Sequence, residues 1–377
     1  MERREHPLPG SSIGQQRQLV SLHFGPPGAR KIYLQSSLHA EELPGMLVLH
    51  HLRQALLEAE QAGRLLGEVV LVPMANPIGL AQRVNHKPFG RFELDSAQNF
   101  NRHYPDLAEA ILDQARSALG PDAAENLRIV RALVTRWLEA WNPSNELEAQ
   151  RRALLLLAHD ADVVIDLHCD AEAVMHLYTE EPCWPMLEPL ARVLGCRAVL
   201  LARESGGGPF DERLSGLWWQ LAQRLEAEGL VHPLEQACAS TTVELRGEGD
   251  VNHDLAKRDA GALMDYLMYA GILAGPPPEL PELPCSPTPL AGSQTLRSPL
   301  PGLVAFLVEP GQKVSEGETV AEVIDPTAAD GSRVHRICSQ VDGVLYARVR
   351  DRYIHAGGEL GKVAGAVPFR TGDLLGA

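Results

Sequence analysis

The chain has 377 residues, of which 45% are hydrophobic and 22% are charged. This composition is typical of a folded globular protein and excludes a largely disordered chain. Lys and Arg total 34 against 49 Asp and Glu, a formal net charge of −15. An acidic surface repels phosphate groups, so we expect neither a nucleic-acid partner nor a membrane partner. The length allows two or three domains.

The sequence shows no targeting or membrane signal. Apolar runs such as Leu154–Ala158 are short, far below the ~20 residues that span a bilayer. The charged start of the chain has no apolar segment behind it, so no secretory signal is expected. The six cysteines are scattered without a CxxC pair, which argues against a disulfide framework or a thiolate zinc site. We therefore expect a cytoplasmic protein with reduced thiols.

Short β-branched runs alternate with longer amphipathic segments up to about residue 273. The runs predict strands at Lys31–Ser36, Glu68–Met74, Ala161–Leu167, Arg197–Ala202 and Thr241–Leu245. The amphipathic segments predict helices at Leu43–Ala59, Trp184–Leu194, Leu214–Ala227 and Leu255–Ala270. Strands that are apolar almost throughout are typical of parallel strands covered on both faces. The alternation predicts an α/β fold with a mixed, mainly parallel sheet and flanking helices.

Three further segments complete the predicted organisation. Residues 106–159 indicate consecutive helices, inserted between two strands, which we interpret as extra packing rather than as a lid. The Pro-rich stretch 275–296 predicts a semi-rigid linker after a first domain at 1–274. Residues 297–377 combine short strands with regular glycine turns, which predicts a small all-β domain.

Residues that commonly bind metals stand at the ends of two predicted strands. His39 and Glu42 follow the first strand with i, i+3 spacing, so one helical turn can bring both side chains to one point. His168 follows the third strand, and ligands of open parallel sheets bind beyond the carboxyl ends of the strands. Two His and one Glu form a catalytic zinc set. The alternative is a structural role for both histidines. Asp166 could bond the His168 imidazole or cap a loop.

Further along the chain, arginines and one glutamate could act together with these candidate metal ligands. Arg102 offers a planar fork suited to a carboxylate, and Asn101 beside it adds an amide donor. Arg91 or Arg83 could polarise a carbonyl oxygen, although ordinary surface ion pairs are the alternative for all three arginines. Glu244 closes an apolar strand, where a desolvated carboxylate beside a metal can act as a general base. The glycine-rich loop 204–210 either lies near the pocket or is a plain connection.

The order of these residues resembles the zinc carboxypeptidase superfamily. The segments Asn76-Pro77-Ile78-Gly79, Gly90-Arg91-Phe92 and Asn99-Phe100-Asn101-Arg102 resemble the succinylglutamate desuccinylase/aspartoacylase family over roughly residues 30–270. The resemblance implies a zinc-carboxypeptidase-like fold and one Zn²⁺ per chain bound by His39, Glu42 and His168. It also implies that Glu244 is the general base and that Asn101 and Arg102 hold a substrate carboxylate. Of Arg91 and Arg83, we favour Arg91 for the family's oxyanion arginine.

We therefore predict a zinc-dependent amidohydrolase that deacylates a small N-acyl amino acid or a similar carboxylated amide. A zinc carboxypeptidase acting on peptides, or a non-enzymatic binding protein with a vestigial metal site, remains an alternative. The tail from Ser298 to Glu318 resembles a biotinyl/lipoyl-type barrelled sandwich, but it has no lysine where such carriers are modified. Such a barrel could serve packing, homo-oligomer contact or shaping of the pocket rim.

Overall fold

The computed structural model describes residues 1–329 and 333–375. We number its elements in chain order. The strands are β1 (Glu2–Pro7), β2 (Gln18–Phe24), β3 (Lys31–Ser36), β4 (Glu68–Val72), β5 (Arg83–Val84), β6 (Lys87–Pro88), β7 (Val163–Asp170), β8 (Glu172–Ala173), β9 (Met175–Glu180), β10 (Ala198–Ala202), β11 (Ala239–Gly247), β12 (Thr288–Pro289), β13 (Ser293–Arg297), β14 (Gly302–Phe306), β15 (Lys313–Val314), β16 (Thr319–Ile324), β17 (Val334–Cys338), β18 (Gly343–Arg348), β19 (Tyr353–Ile354) and β20 (Glu359–Gly365). The α-helices are α1 (Pro44–Gln61), α2 (Pro77–Ala81), α3 (Leu107–Ala118), α4 (Ala123–Ala140), α5 (Glu146–Ala158), α6 (Trp184–Leu194), α7 (Phe210–Ala227) and α8 (His253–Tyr269).

The centre of the molecule is a mixed sheet in the order β1-β2-β4-β3-β7-β11-β9-β10-β12. Strands β4, β3, β7 and β11 run parallel, and β10 runs parallel to β9 and β12. Antiparallel pairs join β1 to β2, β2 to β4 and β11 to β9. The predicted mixed, mainly parallel sheet is confirmed. The sequence prediction lacked β1, β2 and β9. Strand β1 is made of charged and polar residues followed by a proline, and β2 and β9 mix polar with apolar residues, so none shows the continuous apolar run of the parallel strands.

Helices cover both faces of this sheet. On one face, α1, α6 and α8 bury leucines such as Leu52, Leu190 and Leu263 against the strands. On the other face, α3, α4, α5 and α7 build a second core. The predicted insertion 106–159 forms α3, α4 and α5, and its apolar side chains belong to that second core. The insertion therefore packs over a face of the sheet, as expected from its amphipathic pattern.

Two element boundaries differ from the prediction where tertiary contacts extend an element. Strand β7 continues to Asp170, so His168 lies inside the strand instead of after it, because β7 pairs with β11 beyond this point. Helix α7 begins at Phe210 and not at Leu214. The Asn101 side-chain oxygen accepts a hydrogen bond from the Phe210 backbone N–H at 2.9 Å. This bond satisfies one of the N–H groups that a helix start leaves unpaired.

The C-terminal region is entirely β and antiparallel in the residues described. One layer has the order β13-β20-β18-β15 and the other β17-β16-β14-β19. Their inward side chains, including Val304, Val320 and Leu345, form a separate core. Strand β8 pairs with β18, which joins this region to the central sheet. Two strands start inside the predicted linker: β12 extends the central sheet and β13 starts the C-terminal layer at Ser293. The domain limits 1–274, 275–296 and 297–377 stay a prediction.

No helix among residues 1–329 and 333–375 combines the length and apolar character needed to cross a membrane. All six cysteines are unpaired.

Candidate metal centre

Three predicted ligands converge beside the central sheet. His39 and Glu42 lie in the turn between β3 and α1, where the Glu42 N–H donates to the His39 carbonyl at 3.0 Å. His168 comes from β7. The His39 Nδ1 atom lies 2.9 Å from Glu42 Oε1, and the His168 Nδ1 atom lies 2.7 Å from Glu42 Oε2. One ligand atom from each residue falls within 4.8 Å of the others, and all three residues are buried. The spacing suits a single metal ion.

The outer nitrogen of each imidazole faces an oxygen. His39 Nε2 is hydrogen-bonded to Asn99 Oδ1 at 2.9 Å, which favours the tautomer whose Nδ1 lone pair is free for a metal. His168 Nε2 lies 3.0 Å from Asp166 Oδ2, close enough for an ion pair but without hydrogen-bond geometry. Asn99 was not assigned a role from the sequence, although it stands in the quoted Asn99-to-Arg102 segment. Its position opposite His39 appears only in the tertiary structure.

Burial and neighbouring charges set the protonation of the three ligands. Burial lowers the pKa of His39 to about 4, and the nearby Arg91 guanidinium acts in the same direction. Burial opposes ionisation of Glu42, but the two imidazoles hold its pKa well below the usual range. Burial also opposes protonation of His168, yet Asp166 and Glu42 raise its pKa well above the usual value. Because a metal needs neutral imidazole, a cation bound in this cluster would displace a proton from His168.

Glu244 lies on the strand next to the His168 ligand. It is the register partner of His168 across β7 and β11, so the two side chains share a face of the sheet. Its Oε2 atom is buried and has no hydrogen-bond partner. Burial, reinforced by Glu42 and Asp170, raises the pKa of Glu244 to about 8. A carboxylate in this setting is available to accept a proton.

The two arginines considered for the oxyanion role lie in different places in the structure. Arg91 lines the cavity above the metal ligands, with one guanidinium nitrogen 3.0 Å from Glu42 Oε1. Arg83 lies in the exposed hairpin formed by β5 and β6 and does not line this cavity. Of the two, Arg91 can approach a group bound at the metal centre.

Asn101 and Arg102 line the same cavity, and both are buried. Asn101 is held by its hydrogen bond to the start of α7, and Arg102 donates to the Asn101 carbonyl at 2.7 Å. The loop 204–210 packs directly on this pair. A Cβ added at Gly207, whose φ is +71°, would lie 2.7 Å from the Arg102 Cδ atom. Only glycine allows this approach, and Ser205 and Pro209 of the same loop also line the cavity.

The C-terminal region supplies a wall of the cavity. Lys362 and Glu359 of β20 line it, and the Lys362 Nζ atom lies 3.1 Å from Asp170 Oδ2 at the end of β7. Nothing in the tail sequence distinguishes this lysine from a surface lysine. The sequence separation of 192 between Asp170 and Lys362 explains why local patterns did not reveal the contact.

Residues 28–270 match the family model of the succinylglutamate desuccinylase/aspartoacylase catalytic domain. The chain belongs to this family. The family acts on small amides as a hydrolase, and the resemblance drawn from the sequence is thereby confirmed. No curated protein matches the chain.

Several solved structures share the fold. A family protein from Shewanella amazonensis is 26% identical, with a TM-score of 0.82 over 97% of this chain and 98% of its own. A protein of the same description from Shewanella frigidimarina is 22% identical, with a TM-score of 0.81 over 97% of each chain. The product-bound ectoine utilization protein EutE (DoeB) from Ruegeria pomeroyi is 17% identical, with a TM-score of 0.67 over 96% of this chain and 95% of its own. The similarity therefore includes the C-terminal region as well as the catalytic domain.

Proposed function

We propose that this family member is a zinc-dependent amidohydrolase that deacylates a small amide bearing a carboxylate. The observation that carries the proposal is the buried cluster of His39, Glu42 and His168 beside the unpartnered Glu244 carboxylate. Two imidazole nitrogens and one carboxylate oxygen suit Zn²⁺ and leave a coordination position open. Co²⁺ or Mn²⁺ could also accept this donor set.

Each residue around the cluster has its own role in amide hydrolysis. Bound zinc supplies Lewis-acid activation of the amide carbonyl and of water. Glu244 accepts a proton from the attacking water at Oε2 and delivers it to the nitrogen of the leaving amine. Arg91 donates to the carbonyl oxygen as negative charge develops there. A well-placed donor of this kind contributes about 3–4 kcal/mol to transition-state stabilisation.

Asn101 and Arg102 place the substrate. The Arg102 guanidinium offers two parallel N–H groups to a carboxylate, and the Asn101 amide adds one donor. Their attachment to the start of α7 and to the loop 204–210 makes this end of the cavity rigid. Lys362 and Glu359 of β20 close part of the cavity wall, and a walled cavity suits a small amide better than an extended peptide.

The first experiment measures metal content per chain by elemental analysis. We expect about one zinc in the wild type and little in His168→Ala. The matched control is His232→Ala, since His232 and Glu235 repeat the HxxE spacing but do not line the cavity. A wild type that holds no metal and gains no activity on N-acyl amino acids after zinc addition contradicts the proposal. Full activity in Glu244→Gln contradicts the assigned general base.

A further inference from the structure

The cavity extends from the metal centre to a second group of carboxylates. Glu180 ends β9, and Asp211 and Glu212 stand in the first turn of α7. These three side chains and Ser205 all line the cavity, and we call them the acidic end. Glu180 and Asp211 are 2% and 5% exposed. No role in metal binding or hydrolysis has been assigned to them.

The three carboxylates of the acidic end accept hydrogen bonds only from uncharged groups in the part of the chain that the structure describes. Glu180 accepts from Trp219 Nε1 at 2.7 Å, and Asp211 accepts from the Thr242 hydroxyl at 3.0 Å. Glu212 accepts from the Ser205 backbone N–H at 3.1 Å. Within residues 1–329 and 333–375, none of the three carboxylates forms an ion pair with Lys, Arg or His.

Some other carboxylates of the cavity have direct cationic partners. Asp170 pairs with Lys362 at 3.1 Å, and Glu248 pairs with Arg350 at 2.8 Å. At the acidic end, the Arg102 guanidinium acts on Asp211 and Glu212 through its charge without a direct ion pair to either. The three carboxylates outnumber this one cation, and burial and mutual repulsion raise the pKa of Glu180 to about 8 and that of Glu212 to about 7.

Ser205 supplies a second, independent observation. The residue is 1% exposed, and its hydroxyl has no hydrogen bond within normal geometry. A buried hydroxyl without a partner is costly, and this one borders the cavity beside Glu212. A metal ion is a poor occupant, because among the described residues only His39, Glu42 and His168 are spaced to hold one. An ammonium group suits the site, since its N–H groups donate to carboxylate and hydroxyl oxygens together.

The acidic end adjoins the pair that we assign to the substrate carboxylate. Asn101 binds the backbone N–H of Phe210, the residue directly before Asp211. Gly207, in the loop that begins beside Ser205, packs on Arg102. A ligand carboxylate on Arg102 therefore has the acidic end as its neighbour. A carboxylate and an ammonium group on adjacent positions are the free α-amino-acid end of a molecule.

Resting on the proposed hydrolase function, we propose that Asp211, Glu212 and Ser205 bind a substrate ammonium group beside the carboxylate held by Arg102. The substrate class is then an ω-N-acyl diamino acid, whose α-amino group is free and whose side-chain amide reaches the metal centre. Glu180 adds negative charge to the same region. An amide on the α-nitrogen removes the positive charge that the acidic end requires.

The test compares isomers on the zinc-loaded protein. We measure kcat/KM for the Nα-acetyl and the ω-N-acetyl isomers of L-2,4-diaminobutyrate, L-ornithine and L-lysine. We also compare Nε-acetyl-L-lysine with 6-acetamidohexanoate, which lacks only the α-ammonium group. A preference of about 10- to 100-fold for the free α-ammonium is expected from charge-assisted hydrogen bonds. Equal or better use of the Nα-acetyl isomers, or of 6-acetamidohexanoate, overturns the inference.

Variants separate substrate binding from a structural role. Asp211→Asn and Glu212→Gln should each reduce the ratio of kcat/KM for Nε-acetyl-L-lysine to that for 6-acetamidohexanoate by about tenfold. The control Glu226→Gln removes an exposed carboxylate from the same helix and should keep the ratio. A structural role alone lowers both rates together and leaves the ratio unchanged, which overturns the inference.

A binding measurement keeps this inference distinct from the hydrolase proposal. Calorimetry of the products compares L-lysine with 6-aminohexanoate, which lacks the α-ammonium group. Tighter binding of L-lysine supports the acidic end whether or not hydrolysis is observed, and equal or absent binding overturns it. Hydrolysis confined to N-acyl amino acids without an ammonium group supports the hydrolase function and overturns the acidic-end inference.

Discussion

Replacing Lys362 with Met removes the charge by which the C-terminal region contacts the candidate site. The Lys362 ammonium lies 3.1 Å from Asp170 Oδ2, and the two side chains are 24% and 25% exposed. Asp170 stands two residues after the ligand His168 on β7. The substitution keeps most of the apolar stem of the side chain. It leaves the partly buried Asp170 near the Glu244 carboxylate without its cation.

The loss of stability in Lys362→Met can be worked out from the distance between the lysine ammonium and the Asp170 carboxylate. At 3.1 Å and an effective dielectric constant of about 20, the attraction is about 5 kcal/mol. The cost of removing both groups from water offsets part of this, so we expect Lys362→Met to lower the free energy of unfolding by about 3 kcal/mol at pH 7. The double variant Asp170→Asn/Lys362→Met should lose less than the sum of the single losses, with a coupling of about 2 kcal/mol.

The loss should depend on pH with a definite sign. Burial opposes ionisation of Asp170, but Lys362 holds its pKa below the usual value. Its stabilising contribution is therefore present at neutral pH and is lost as the pH falls through its folded-state pKa. In Lys362→Met the pKa of Asp170 rises and protonation relieves the unpaired charge. The difference from the wild type should accordingly become smaller in acid.

Urea unfolding at pH 7 and pH 5, followed by far-UV circular dichroism, measures both effects. Lys313→Met is the matched control, because Lys313 is exposed on β15 of the same region and its loss should cost little. A coupling below about 0.5 kcal/mol, the level of an exposed ion pair, refutes the reasoning. A loss of equal size at both pH values refutes the role of Asp170 ionisation.

Three further predictions concern the metal centre. Asn99→Ala removes the oxygen 2.9 Å from His39 Nε2, and zinc affinity in chelator competition should fall by about 10–100-fold. Arg91→Ala should lower kcat by about 10²–10³-fold, whereas Arg83→Ala, in the exposed hairpin, should leave it unchanged. Equal losses in both variants would contradict the assignment. Burial raises the pKa of Glu244, so kcat/KM should fall as the pH decreases through an acid limb above pH ~4.5. A flat profile down to pH 5 would count against this base.

The cluster of candidate metal ligands was predictable from the sequence because its signal is local. His39 and Glu42 lie three residues apart in one turn, and the sequence places His168 at the end of an apolar run. Parallel strands bring their carboxyl ends to one edge, so strand prediction alone brought these residues together. The same logic identified Glu244, which pairs in register with His168.

Residues whose roles depend on distant contacts were not predicted. Asn99 meets His39 across 60 residues of chain, and Lys362 meets Asp170 across 192. Asp211 falls outside the helix expected from Leu214, because the cap that starts α7 earlier comes from Asn101. In each case the partner lies in another element, and no periodicity or spacing in the sequence encodes it.

The sequence by itself determined the α/β class, the family, the candidate His39, Glu42 and His168 cluster and the all-β tail. Each depends on the period of apolar residues or on spacing within one turn, which short-range sterics and hydrogen bonding translate directly into structure. Only the tertiary structure showed that Arg91 and not Arg83 lines the cavity, brought Lys362 into the cavity wall and placed three carboxylates in the same cavity as Arg102. Those features follow from how separate elements pack, because the burial and electrostatic field of a side chain depend on neighbours far away in the chain.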